Sequence, residues 1–450
     1  MVAILETVTR PRQMAPGYPG VSAVSPDFAG GIDPAPLEAW LKAQSVNAMR
    51  HAAAVRPFRK DEFGSGPASP SDAHIEAVND LTTNMRRQLL ETSRQVSSAA
   101  ALAREEPTFE NLQWLTELKE RAGNRVRLIE DIWKFYLELF GQRQSKFAPQ
   151  LLACDRIALD CYQYVYTGLG RTKPIPSPVP FCYMETGFAP ATFRRGVPLT
   201  RLGRRANPFP LIQLPYHRLV NPWTLSAVLH ESAHNLQSDL GLWQVMPLQI
   251  ARRLLAAGLG PELVRIWARW HKETWADLCG LLLGGPSVVA TQMDVVGRSP
   301  ASALQFNPAD VHPTPYLRVL ISLDLLRRMG FAKEAEGFRR SWMQIYPNPT
   351  AGTIPEAMLR TFPQASRLVV DTVAFTPYEQ LGGKSLAQAV KFEARDQGMV
   401  EQAGRRLAAS RDPGIIPAIF LIGAARWALD HNLARPGVIT NNFYRALVRR

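Results

Sequence analysis

Apolar residues recur every three or four positions through most of the chain, which is the spacing of amphipathic helices. The clearest example lies in residues 107–141, where the apolar positions are Leu115, Leu118, Ala122, Val126, Ile129, Ile132, Trp133, Tyr136, Leu139 and Phe140. The same spacing predicts further helices within residues 71–170, 334–346, 385–410 and 415–431. Strand-like pieces in the proline-rich residues 174–215 predict a small sheet. We therefore expect a mainly α (α+β) protein.

Composition divides the 450 residues into four parts. Residues 1–70 are rich in proline and glycine, and we expect them to cover the surface or to stay partly mobile. A helical domain over 71–173, a core domain over 174–345 and a C-terminal helical domain over 346–450 are predicted to follow. A chain of this length can form two or three hydrophobic cores.

One mostly apolar helix, predicted over residues 221–241, carries polar residues at its centre. Asn221 suits the N-cap, Pro222 suits the first helical position and Gly241 suits the left-handed residue that ends a helix. The apolar residues of this helix leave little room for a solvent-exposed face. Its polar residues are therefore costly to bury unless they have partners.

The polar centre of this helix is an HExxH sequence. His230 and His234 are four positions apart, so they lie on one face, and Glu231 stands beside them. This spacing can offer two imidazole nitrogens to one zinc ion and hold a carboxylate next to it. A buried histidine pair that is hydrogen-bonded to the backbone is the alternative interpretation.

A second helix is predicted from about Pro261 to the sequence Gly284-Gly285-Pro286. Its apolar stripe contains two carboxylates, Glu273 and Asp277, at positions where leucine is expected. Buried acids are rare unless they are paired or bind a metal. Their spacing of four places both on one face, with Glu273 towards a metal and Asp277 towards the back of a ligating imidazole.

HExxH followed by the sequence ETWAD resembles the gluzincin metallopeptidases, whose third zinc ligand is a glutamate on a later helix. The resemblance implies a zincin-like catalytic core in which His230, His234 and Glu273 bind Zn²⁺. It further implies that Glu231 is the general base for peptide-bond hydrolysis by zinc-activated water, and that Asp277 supports His230.

The sequence HPTPYLR is similar to an HPxxxxR element of the CAAX-prenyl endopeptidases. This resemblance implies that His312 and Arg318 face the site. With Tyr316 and His271 they are the candidates to stabilise the oxyanion of the reaction. A simple ion pair between Arg318 and a carboxylate is the alternative. Together, the resemblances cover roughly residues 208–330.

A short strand is predicted at residues 210–214, just before the HExxH helix. The resemblance implies that this is an edge strand, which binds the substrate by backbone hydrogen bonds. A peptide or protein is therefore the expected substrate.

The chain carries 52 basic and 39 acidic residues, a net charge of +13. Such a charge suggests an acidic partner. The basic residues are spread along the chain and no nucleic-acid-binding motif accompanies them, so nucleic acid is not the expected partner. The apolar stretch within residues 415–431 is too short to span a bilayer, so no membrane span is expected.

The four cysteines show no CxxC pairing and no regular spacing; they are Cys154, Cys161, Cys182 and Cys279. Reduced, buried thiols are therefore expected. The N-terminal sequence MVAILETVTRPRQ lacks the basic start and apolar run of a secretory signal. These features predict a soluble, cytoplasmic protein.

Three function classes remain open on sequence alone. The first is a zinc metallopeptidase, of which the sequence specifies neither the substrate nor the choice between endo- and exopeptidase activity. The second is a di-iron oxidase that uses Glu231 and His234 as an ExxH element, but the chain lacks the second ExxH that such a site needs. The third is a non-catalytic metal-binding or basic interaction protein on the same scaffold, which would not need Glu231.

Overall fold

The computed structural model describes residues 35–170, 175–187 and 189–450. The protein is mainly helical with a small amount of sheet, which confirms the predicted fold class. Of the N-terminal segment 1–70, the first 34 residues lie outside the described part. The composition of this segment did not predict the helix α1, Ala35–Ala54, that follows them.

Three long helices follow α1 and account for most of the predicted helical region; they are α2, Asp72–Glu105, α3, Phe109–Gly141, and α4, Ala148–Leu169. The hydroxyl of Ser71 caps α2 by accepting the N–H of His74. The hydroxyl of Thr108 caps α3 by accepting the N–H of Asn111. These bonds satisfy amides that a helix leaves unpaired at its first turn, so both helices begin at defined residues.

Five short strands lie in the proline-rich region, as expected: β1, Phe181–Met184, β2, Ala191–Phe193, β3, Pro198–Leu199, β4, Arg205–Ala206, and β5, Leu211–Leu214. β3 and β4 form a separate pair. In the other sheet, β5 lies between β1, which is parallel to it, and β2, which is antiparallel to it. The expectation that residues 210–214 form an edge strand is therefore wrong, because β5 is paired on both sides and the edge beside the HExxH helix is β2.

The rest of the chain is helical and comprises α5, Tyr216–Leu219, α6, Ser226–Asp239, α7, Val245–Ala256, α8, Pro261–Arg269, α9, His271–Gly284, α10, Pro286–Val296, α11, Pro300–Ala303, α12, Pro315–Arg328, α13, Ala332–Ile345, α14, Glu356–Val370, α15, Leu386–Ala389, α16, Ala394–Ala408, α17, Ala418–Asp430, and α18, Pro436–Val448. Side chains from Leu151 to Leu447 share one hydrophobic core. The predicted division at residue 345 stays a prediction. No helix in the described part of the chain is long and apolar enough to cross a membrane.

All four cysteines are buried, free thiols, as predicted. Burial raises the pKa of Cys279 to about 12, so its thiol stays neutral within the packing of α9. The cysteines therefore contribute apolar packing.

The HExxH helix begins later than predicted. Residues Pro222–Thr224 form a 3₁₀ turn, and α6 starts at Ser226. The side chain of Asn221 makes no cap bond; instead its carbonyl accepts the hydroxyl of Thr224 at 2.8 Å. Gly241 has a φ of +75°, which agrees with the predicted left-handed end.

The second predicted helix is two helices, α8 and α9, which are separated at Trp270. His271 donates from Nδ1 to the carbonyl of Ala268 at 2.8 Å. A side chain that bonds a helical carbonyl disturbs the regular backbone ladder, and interruptions of this kind bend helices. α9 starts at His271 and packs against α6, where Glu273 and Asp277 both contact His230.

Gly285 ends α9 and allows α10 to fold back over the site. Its φ of +68° and ψ of −157° fall in a region that is almost exclusive to glycine. A Cβ atom at this position would also overlap the ring of Phe392.

We expect Gly285→Ala to lower the free energy of unfolding by roughly 2–5 kcal/mol, because backbone strain and overpacking act together. Gly258→Ala is the matched control, since Gly258 has a φ of +81° but nothing within 4 Å of a Cβ atom. Its cost should be only the strain, roughly 1–2 kcal/mol. Urea denaturation measures both, and equal losses would show that the Phe392 ring moves aside freely.

Candidate metal centre

The site is built where α6 and α9 pack against each other. The indole Nε1 of Trp275 on α9 donates to the carbonyl of Ala233 on α6 at 2.8 Å. Gly280 faces Leu229, and even a Cβ atom there would lie only 3.7 Å from the Leu229 side chain. The tryptophan bond and this packing contact join the two helices. The residues on either side of Trp275 on α9 and of Ala233 on α6 are therefore held in fixed positions relative to each other.

Three potential ligands from these helices converge on one point. His230 Nε2 lies 3.1 Å from His234 Nε2 and 3.3 Å from one carboxylate oxygen of Glu273. His234 Nε2 lies 3.6 Å from the other oxygen of Glu273. All the ligand atoms lie within 4.8 Å of one another. A tetrahedral zinc ion with bonds of about 2.0–2.1 Å separates its ligand atoms by about 3.3 Å. The separation of the two histidine nitrogens is close to this value, whereas the two distances to Glu273 end on different oxygens. The donor set of two imidazoles and one carboxylate suits zinc.

Asp277 fixes the orientation of the first histidine. Its Oδ1 accepts the Nδ1 hydrogen of His230 at 2.9 Å, so the other ring nitrogen, Nε2, is the one that faces His234 and Glu273. Arg318 binds the same carboxylate with two bonds, Nε to Oδ2 at 2.5 Å and an Nη to Oδ1 at 2.8 Å. Both side chains are largely buried. The ion pair considered as the alternative role of Arg318 is thus present, and it holds the carboxylate that bonds His230.

The carboxylates determine the charge of the cluster. Burial opposes protonation of His230, but hydrogen bonds to Asp277 and Glu273 outweigh it and raise the pKa of His230 to about 10. Burial lowers the pKa of His234 to about 4. Burial opposes ionisation of Glu273, but its bonds with the two histidines hold the pKa of Glu273 well below its usual range. The carboxylates of Glu273 and Asp277 thus favour a positive charge at His230.

Glu231 is buried and lines the same cleft as the ligands. It follows His230 directly on α6, so its side chain points to the neighbouring edge of the ligand face. Burial raises the pKa of Glu231 to about 7. Its carboxyl group therefore lies beside His230, His234 and Glu273 but is not one of the three groups that converge.

The other predicted site residues occupy different places. His312 reaches the cleft; its Nε2 lies 3.4 Å from a Glu273 oxygen, its Nδ1 lies 3.0 Å from Asp310, and its side chain is half exposed. Tyr316 does not line the cleft, because its ring is buried in the core against Tyr346. His271 is also outside the cleft, with its Nδ1 bonded to a backbone carbonyl. Of these candidates, the structure brings only His312 and Arg318 to the cluster.

A cleft of about 530 Å³ opens over the ligands. At the end where α6 begins, its wall consists of Ser226, Ala227, Val288, Thr291, Gln292, Val295 and Val296. The amide of Gln292 is buried there and has no hydrogen-bond partner in the described part of the chain. This end can therefore accept an apolar group and offers one free amide to a ligand.

The edge strand β2 forms a side wall of the cleft and is fastened to α6. Asn235 on α6 donates from Nδ2 to the hydroxyl of Thr192 at 2.6 Å, and Thr192 donates to the carbonyl of Leu211 at 2.9 Å. β2 is the outer strand of this sheet and is thus held beside the HExxH residues. The carbonyl of its last residue, Phe193, already accepts Nδ2 of Asn207 at 2.8 Å. This arrangement suits an extended peptide that adds to the sheet.

Sequence reasoning did not identify several residues of this cleft, namely Thr192, Arg194, Trp243, Lys272 and Gln292. It also did not identify Asn235, which is outside the lining and bonds Thr192. Lys272 immediately precedes the predicted ligand Glu273, and Asn235 immediately follows His234, so adjacency was a weak signal for these two. The others come from β2, from the loop after α6 and from α10. No spacing rule connects such distant segments with the motif.

We expect Asp277→Asn to weaken zinc binding by roughly 10- to 100-fold, because the ligand histidine loses the charge that orients it. A competition titration with a chromophoric zinc chelator measures the change. Asp324→Asn is the control, since Asp324 lies on α12, as Arg318 does, but accepts the Ser366 hydroxyl away from the cluster. An unchanged zinc affinity in Asp277→Asn would remove Asp277 from any role in holding His230.

Comparison with known proteins identifies no relative, because no family model, no curated protein and no solved structure matches the chain. The resemblance to gluzincins therefore stays a prediction that rests on the motif residues. Folds host many chemistries, so the function is best inferred from the groups that the site brings together.

Proposed function

We propose that the protein is a zinc-dependent metallopeptidase that hydrolyses peptide bonds. The observation that carries this proposal is the convergence of His230, His234 and Glu273, whose ligand atoms lie within 4.8 Å of one another, with the carboxylate of Glu231 beside them in a cleft. A closed structural site would need ligands only. A buried acid that is next to the ligands but is not one of them is what general-base chemistry needs.

When bound, a zinc ion supplies a Lewis acid that lowers the pKa of a water molecule and polarises a carbonyl. His230, His234 and Glu273 would hold it. Asp277 keeps the His230 ring in the orientation and tautomer that present Nε2, and Arg318 holds Asp277 in turn. These roles all follow from contacts within the chain.

Glu231 would take a proton from the attacking water and pass it to the leaving amine. His312 is the better placed of the candidates to stabilise the oxyanion, since its ring reaches the cluster and is half exposed to the cleft. Arg318 is less available for this role, because Asp277 already occupies its guanidinium group.

The outer edge of β2 would bind the substrate backbone as an added strand. Backbone bonding of this kind is independent of the side chains, so it positions many sequences over Glu231. Side-chain pockets at the two ends of the cleft then determine which sequences are preferred.

The first test is elemental analysis of protein purified without a histidine tag, together with hydrolysis of a quenched fluorescent peptide mixture. We expect one zinc per chain and hydrolysis that 1,10-phenanthroline inhibits and added zinc restores. One zinc without hydrolysis would favour the alternative, a non-catalytic metal-binding protein. Two irons per chain would favour the oxidase, and a metal-free protein would favour a basic interaction protein.

A further inference from the structure

Two cations line the cleft at the end where α6 finishes. The guanidinium of Arg194 lies 3.5 Å from the ring centre of Trp243, and the ammonium of Lys272 lies 6.0 Å from the same ring. Both side chains are half-buried and both line the cleft. Among the residues that the structure describes, no carboxylate is within ion-pair distance of either. The indole thus holds two positive groups that lack an acidic partner.

The acids of the cleft are already engaged at the cluster. Its acidic lining consists of Glu231, Glu273 and Asp277, and the last two contact the histidines and Arg318. The guanidinium of Arg194 is partly removed from water, and this burial lowers the pKa of Arg194. A ligand carboxylate would supply the missing partner, and charge-assisted bonds to a partly buried cation are strong.

The direction of the cleft follows from the bonds between β2 and α6. Thr192 bonds Asn235 and, further along both elements, Arg194 donates to the Ser238 hydroxyl at 3.4 Å. The strand and the helix therefore run in the same direction beside the cleft. The two cations lie towards their carboxyl ends, and the apolar wall that includes Ala227 lies towards the start of α6.

Antiparallel pairing is the more stable arrangement for an added strand. A peptide that pairs antiparallel with β2 has its amino end next to Arg194 and its carboxyl end next to the apolar wall. Side chains on the amino side of the scissile bond then face the two cations.

We propose that the cleft selects peptides with aspartate or glutamate on the amino side of the scissile bond, and that Arg194 and Lys272 bind this carboxylate. This inference rests on the proposed peptidase function. It makes the two residues determinants of specificity, with Trp243 as the surface that positions them.

Matched pairs of quenched fluorescent peptides test the inference. Each pair differs only by glutamate or glutamine at one of the three positions on either side of the cleaved bond. We expect kcat/KM to be roughly 10-fold higher for glutamate at one position on the amino side, and equal within each pair on the carboxyl side. Equal values at every position, or a preference on the carboxyl side, would overturn the inference.

Variants then assign the preference to residues. Arg194→Gln and Lys272→Gln should each reduce the glutamate-to-glutamine ratio to about 3 or less. Arg265→Gln removes the same charge from an exposed position on α8, outside the cleft, and should leave the ratio unchanged. A ratio that stays near 10 in both cleft variants would exclude Arg194 and Lys272 as the binding groups.

Binding separates failure of this inference from failure of the proposed function. Fluorescence anisotropy with the same labelled peptides, on zinc-supplemented protein, needs no turnover. The wild-type protein could hydrolyse nothing and still bind the glutamate peptide roughly 10-fold more tightly than the glutamine peptide, with Arg194→Gln abolishing this difference. That result would support selection of acidic peptides and contradict the peptidase function. Hydrolysis without any preference for glutamate would support the peptidase function and contradict the selection of acidic peptides.

Discussion

Glu231→Gln is expected to keep its zinc and to lose hydrolysis by a factor of about 10²–10⁴, the contribution of a positioned general base. Glutamine has nearly the shape of glutamate, so α6 and the ligands should keep their positions. The amide cannot accept a proton from water, so the loss should fall on kcat. Steady-state kinetics on one peptide, with elemental analysis of the same preparation, measures both parts.

Asp239→Asn is the matched control for this variant, because it makes the same change on the same helix. Asp239 accepts the hydroxyl of Tyr162 and is not part of the cleft lining. It should retain both zinc and activity. If Glu231→Gln kept activity within about tenfold of the wild-type value, Glu231 would not be the base, because the loss would be smaller than the usual contribution of such a group.

The motif residues could be predicted from the sequence because helix geometry alone determines which of them share a face. His230 and His234 are four apart on one helix, and Glu273 and Asp277 are four apart on another. The bond from Asp277 to His230 joins the two helices as the sequence predicted. Periodicity therefore predicted which residues share a face of each helix, whereas the pairing of the two helices, with Asp277 behind His230, was implied by the resemblance to gluzincins.

The sheet and the cleft walls could not be predicted in the same way. A four-residue strand such as β5 shows its β propensity, but the order of strands depends on contacts between distant segments. The resemblance to gluzincins implied that β5 is the edge strand beside the HExxH helix, whereas β2 takes that position. Arg194 and Trp243 meet only because β2 and the loop after α6 pack together, which no local pattern indicates.

The two explanations of the cluster differ in what holds it together. In a hydrogen-bonded cluster, a protonated His230 lies between Asp277 and Glu273, and the protein needs no metal. In a zinc site, the same three ligand atoms direct their lone pairs at one ion. Removal of one ligand distinguishes the explanations, because only the second makes zinc content depend on each ligand.

His230→Ala and Glu273→Ala are each expected to lose zinc, with affinity lowered by more than the roughly 100-fold that an outer partner can cost. Zinc at 100 times its Kd should stabilise the wild-type protein by about 2.7 kcal/mol, and both variants should lose this gain. His51→Ala, an exposed histidine on α1, is the control that should keep both. Elemental analysis and thermal denaturation with and without zinc measure these effects. Full zinc content in Glu273→Ala would remove Glu273 from the ligand set, and with it the resemblance to gluzincins, because that glutamate is what defines their third ligand.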